Sequence, residues 1–130
     1  MGLAEKRAIK KAETTWLPKQ HTQLEDIAGC SVKIEIQWES FDGDVEAIEC
    51  LEYNGPEQVA MAFRMICQDE LGKEAIQEVI KTVVFQHVPD PEERAVECAD
   101  GVLSIRGTYS LSTQGTVRDT QIRECLEAAL

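Results

Sequence analysis

The chain lacks any apolar stretch near the ~20 residues that a membrane-spanning helix requires. It has only two histidines, His21 and His87, and no Cys-x-x-Cys pair. Its five cysteines, Cys30, Cys50, Cys67, Cys98 and Cys125, lie at least 17 positions apart. That spacing excludes the close ligand pairs of a structural zinc site, and the odd number argues against a disulfide scaffold. No Gly-x-Gly-x-x-Gly or Walker pattern occurs, so the glycine-rich phosphate cradles are missing as well. The opening Met1-Gly2-Leu3-Ala4-Glu5-Lys6 has neither the apolar core of a signal peptide nor the Ser or Thr of a myristoylation motif. These absences lead to the expectation of a cytoplasmic protein with no metal, no cofactor and no membrane association.

Positive charge is scarce: 13 Lys and Arg stand against 24 Asp and Glu, a net charge of −11. The deficit is uneven, since the first 20 residues carry five bases and two acids, and the other 110 carry eight bases and 22 acids. Phosphate-backbone binding is therefore disfavoured, and no nucleic-acid partner is expected. Hydrophobic residues at 43% and charged residues at 28% are what a folded globular chain carries, and the length suits one core. No repeat, low-complexity tract or long linker divides the chain, so residues 1–130 read as one domain.

The hydrophobic pattern predicts an α+β order. Leu3 to about Leu17 reads as helix, with Ile9, Ala12 and Trp16 on one stripe, and Pro18 opens a second helix that Gly29 ends. Residues 31–38 alternate as a strand, with Val32, Ile34, Ile36 and Trp38 on one side. After an Asp42-Gly43-Asp44 turn, Val45, Ile48 and Leu51 fall at helical spacing, and Asn54-Gly55-Pro56 breaks that helix. Pro56 begins a largely buried helix through Cys67, Leu71-Gly72 separates it from another over Lys73–Ile80, and residues 82–88 form a strand. Residues 95–99 and 102–111 pair across Asp100-Gly101, a type I′ turn that sets Cys98 opposite Leu103 and Val96 opposite Ile105. A last helix buries Ile122, Cys125, Leu126 and Ala129. Short connections among the last three strands predict an antiparallel meander, hence a four-stranded, mainly antiparallel sheet with helices on one face.

Two groups of residues are candidates for function. Residues 35–57 hold eight acids and no base, among them Asp42, Asp44, Glu46, Glu49 and Glu52. They fail as a calcium loop, because counting from Asp42 the sixth position is Ala47, not glycine, and the twelfth is Tyr53, not glutamate. They suit either a solvated helical face or a docking surface for a basic protein partner. His87 shares a strand face with Val83 and Phe85, which places it at a rim where Cys67 or Cys98 could form a thiol–histidine pair. The alternative for all three is packing: a rim histidine and small apolar thiols. The leading expectation is a non-catalytic binding or regulatory protein of inhibitor or immunity type. A small enzyme or ligand-binding domain with a pocket near His87 and a cysteine is the second, and a homodimer protecting its sheet edges is the third.

Overall fold

A computed structural model describes all residues 1–130. Helices α1 (Leu3–Thr14) and α2 (Trp16–Ala28) are followed by strand β1 (Lys33–Ile36), a 3₁₀ turn at Trp38–Phe41, and helices α3 (Val45–Asn54), α4 (Pro56–Ile66) and α5 (Glu70–Val79). Then come β2 (Thr82–His87), β3 (Ala95–Ala99), β4 (Val102–Gly107) and α6 (Asp119–Ala129). No helix is long and apolar enough to cross a membrane.

The four strands form one sheet, as expected, but it is mixed and mostly parallel, not mainly antiparallel. The strand order is β1-β2-β4-β3, with β1 parallel to β2, β2 parallel to β4, and only β3 antiparallel to its neighbour β4. The hairpin itself has the register its turn residues dictate, Cys98 opposite Leu103 and Val96 opposite Ile105, with Asp100 and Gly101 both at positive φ. What the short β2–β3 connection does not dictate is adjacency. The hairpin turns its second arm, not its first, toward β2. Burial gives the reason: Leu103 and Ile105 of β4 are fully buried, whereas β3 exposes Glu97 and Ala99 and half-buries Val96 and Cys98, so the more apolar arm takes the central place.

Four boundaries also move. The first two helices meet at Thr15 rather than at Leu17, so Pro18 lies within the first turn of α2 instead of opening it. The strand expected over 31–38 is β1 alone, because Trp38 leaves it in the 3₁₀ turn that buries Phe41. The arm expected to reach residue 111 stops at Gly107; beyond it Thr108 and Tyr109 are both buried and Leu111, expected on the inward side, is exposed, so the alternation ends with the ladder. Helix α5 begins at Glu70, where Asp69 caps it by accepting from the Gly72 N–H at 2.7 Å, so Leu71-Gly72 is a first turn and not a break.

The inward strand face carries Ile34, Ile36, Val83, Phe85, Leu103 and Ile105 against helix residues Leu24, Ile48, Leu51, Phe63, Ile76, Ile122 and Leu126. The other face holds the half-buried Thr82, Val84, Gln86 and Ser104 and the exposed Lys33, Glu35, Glu97 and Arg106. Helices therefore lie on one face. Gly72 lets α5 fold back on the end of α4: a Cβ there would stand 1.9 Å from the Ile66 carbonyl oxygen. Gly72→Ala is expected to destabilise the fold by about 3 kcal/mol in urea unfolding. Gly43, at φ +84° but in open space, should lose only about 1 kcal/mol on the same change.

Candidate functional site

The carboxyl ends of β1, β2 and β4 lie along one edge of the sheet, and α3 begins there. In open sheets with parallel strands this edge is where ligands usually bind. The sequence places His87 on it by strand alternation, and the structure buries the ring almost wholly, at 5% exposure, rather than leaving it at a rim. His87 stacks on Phe41 with centroids 5.1 Å apart, and Phe41 stacks on Tyr109 at 5.8 Å. Its Nε2 faces Asp44 Oδ2 at 3.3 Å, and its Nδ1 accepts from the Tyr109 N–H at 3.4 Å. Its own backbone N–H donates to Ser40 Oγ at 2.9 Å. With a carboxylate on one nitrogen and an N–H on the other, the neutral ring carries its hydrogen on Nε2. Burial pulls its pKa below the ordinary 6.5, against the opposing pull of Asp44 and the Gly107 carbonyl. No nitrogen is left to take a proton from a substrate, and none of the five principal surface clefts touches His87.

The structure does not bring Cys67 or Cys98 to this ring. Cys98 lies opposite Leu103, four residues along β4 from Gly107, the neighbour of His87, which is about 13 Å of strand rise. Cys67 ends α4 beside Cys30 and Lys73, and Cys30 precedes β1, so this thiol sits toward the opposite edge of the sheet. Burial raises the Cys67 thiol, and Lys73 only partly offsets it; burial likewise raises Cys98, with Cys125 next to it adding to the shift. All five cysteines are free and half-buried, and no group of three or more His, Cys, Asp or Glu side chains is arranged to hold a metal ion.

The acids separate into two kinds. Asp44 is the N-cap of α3: Oδ1 accepts from the Ala47 N–H at 2.9 Å, while Oδ2 takes His87 and the Ser110 hydroxyl, the latter at 3.4 Å. Glu52 is half-buried and accepts from Gln20 Nε2 at 3.2 Å. Asp42, Glu46 and Glu49 are exposed. Glu46 and Glu49 continue along α3 to Tyr53, the positions i, i+3 and i+7 of one stripe, and Tyr53 is 61% exposed. Arg118 lies over the Tyr53 ring at 5.7 Å while donating to Asn54 Oδ1 at 3.2 Å. Asn54 in turn donates to the carbonyls of Tyr109 and Leu111 at 3.0 and 3.2 Å. Both ends of α3 are thus tied to residues 109–111, and its outer stripe is held in one orientation. Tyr53 escaped the sequence reading, although its helical spacing from Glu46 was available there; the Arg118–Asn54 link, 64 residues apart, had no local signal.

One further feature was hidden. The acid run is not without counter-charge, because a cleft of about 460 Å³ sets Lys11 of α1 and Lys19 of α2 around an apolar floor of Trp16 and Ile48, facing Glu49 and Glu52. Comparison with protein-family models, with curated proteins and with solved structures finds no match to this chain.

His87 generates a pH dependence. Its folded-state value lies below the unfolded one, so the unfolded chain takes up the proton first; its contribution is intact above 6.5 and is lost as the pH falls from there toward the folded value. Wild-type protein should therefore lose urea resistance between pH 7.5 and 5.5, and His87→Phe should flatten that slope. An unchanged slope in the variant would assign the loss elsewhere. Burial of the thiols has a second consequence: Cys67 and Cys98 should alkylate at least about tenfold more slowly in native than in urea-unfolded protein at pH 7.5.

Proposed function

We propose that this protein is a non-catalytic binding module, of inhibitor or immunity type, which docks a basic protein partner through the outer stripe of α3. The observation that carries the reading is the alignment of Glu46, Glu49 and the exposed Tyr53 on one rigidly held helix face, with the exposed Asp42 just before it. Clustered carboxylates steer a cationic surface and raise the rate of encounter. An aromatic side chain supplies what charge alone does not, a desolvated anchor that slows dissociation. Tyr53 suits that role because Arg118 already restrains its ring, so little rotamer freedom is left to lose on binding.

Within this reading the five acids have different tasks. Asp42, Glu46 and Glu49 meet the partner, whereas Asp44 and Glu52 hold α3 to the rest of the molecule. A reducing, cytoplasmic setting accords with five free thiols. The outer edge of β1 remains unpaired, but it is four residues long and its wet face carries the Lys33–Glu35 ion pair at 3.0 Å, features that blunt strand-to-strand dimerisation.

The test compares wild type, Glu46→Lys/Glu49→Lys and Tyr53→Ala as baits for a basic partner captured from the cells that make the protein. Charge reversal should slow association about tenfold at low salt and remove most of its salt dependence. Tyr53→Ala should instead speed dissociation, with a loss of about 2 kcal/mol in affinity. Equal capture and equal salt dependence for all three baits would end the proposal.

A further inference from the structure

We infer that the groove where α4, α5 and α6 meet is a second docking site, and that its occupant is a cationic amphipathic segment of a partner, one that alternates apolar and basic side chains at helical spacing. Of the large apolar side chains that stand exposed, Met65, Leu71 and Leu130 converge here, around Ile66 and Ala75, on a cavity of about 340 Å³. Leu71 is 81% exposed, more than any other large apolar residue in the chain. Single exposed leucines are ordinary, but three apolar side chains gathered around one concavity are the pattern of an interface.

The exposure of Leu71 is built into the fold. Asp69 fixes the first turn of α5 through the Gly72 N–H at 2.7 Å. Gly72 backs this turn directly against the end of α4, with room for no side chain between it and the Ile66 carbonyl, so Leu71 is carried on a turn packed against its neighbour. The side chain is therefore presented by a rigid element, as an anchor residue must be if ordering it is not to consume the binding energy.

Charge selects the occupant. Asp69 and Glu127 line the groove, Glu70 and Glu74 flank Leu71 on the exposed face of α5, and no Lys or Arg lines it. A second copy of this chain would bring those acids against their own counterparts. An acidic or phosphate-bearing surface would be repelled in the same way. A helix with apolar residues toward the groove and lysines or arginines at its margins satisfies both features, the geometry of helix-in-groove recognition. This site lies on elements other than the α3 stripe and does not depend on it.

The test uses a fluorescein-labelled model peptide of leucine and lysine with helical periodicity, and the same peptide with every lysine replaced by glutamate. Each is titrated by anisotropy against the full chain as wild type, Leu71→Ser, Met65→Ser and Glu46→Lys/Glu49→Lys. The leucine–lysine peptide should bind wild type and lose at least about tenfold in affinity with Leu71→Ser. The glutamate peptide should not bind, and the α3 double variant should stay within about twofold of wild type, since its changes lie outside the groove. Because Leu71 is so exposed, its replacement by serine should leave the thermal unfolding midpoint unchanged, and Met65→Ser gives an independent check on the same groove. No binding to wild type, or binding indifferent to Leu71→Ser and Met65→Ser, would overturn the assignment. So would a dimer in sedimentation that Leu71→Ser dissociates, which would give the groove to a second copy. Loss of peptide binding in the α3 variant alone would overturn it too, and would leave the acidic stripe standing.

Discussion

The Asp44 carboxylate does three things at once: it caps α3 through the Ala47 N–H, receives the Nε2–H of His87 from the end of β2, and accepts the Ser110 hydroxyl from the segment beyond β4. Each contact is modest alone, of order 1 kcal/mol net, and the cap belongs to a helix of only ten residues. Their value is geometric, because one side chain joins three parts of the chain that are distant in sequence. With Asn54 bound to the Tyr109 and Leu111 carbonyls at the other end, α3 is fastened to the sheet edge at both termini. The orientation of its outer stripe follows from that fastening.

This arrangement explains why the edge of the sheet where ligands usually bind is filled instead with structure. Phe41, His87 and Tyr109 occupy it as a triangle of mutually touching rings, with centroids 5.1, 5.8 and 6.3 Å apart, and both nitrogens of His87 face internal partners. A histidine so placed fixes position. The acidic run is divided by the same logic: residues that face inward, Asp44 and Glu52, are consumed in holding α3, while Glu46 and Glu49 remain in solvent with Tyr53, and Asp42, also exposed, lies 3.8 Å from the N-terminal ammonium of Met1. Lys11 and Lys19, opposite Glu49 and Glu52 across the cleft, temper the field without closing an ion pair within 4 Å. Chemistry in the sequence that looks like one feature is thus two, separated by which side of a helix each residue occupies.

Much of the fold was legible because its signals are local. The 3.6-residue stripes of α3, α4 and α6, the alternation in β1 and β2, and the Asp100-Gly101 turn each act within a few residues of where they are written. Strand order was not legible: the β2–β3 connection is compatible with either arm of the hairpin beside β2, and the choice is made by burial summed over the whole sheet. Gly72 misled as a breaker, because its reason for being glycine is the Ile66 carbonyl behind it, a contact no local pattern reveals. The same limit governed the site. His87 could be placed on the buried face, yet its partner Asp44 lies 43 positions earlier, in a run that reads as surface charge.

A double-mutant cycle on Asp44 and His87 tests this account most directly, since it isolates the contact from the losses each side chain suffers alone. Urea unfolding of wild type, Asp44→Ala, His87→Phe and the double variant at pH 7.5 should give a coupling energy of about 1–2 kcal/mol. Strictly additive single losses would mean that the two side chains stabilise the protein separately, and that the orientation of α3 is set by something other than their contact.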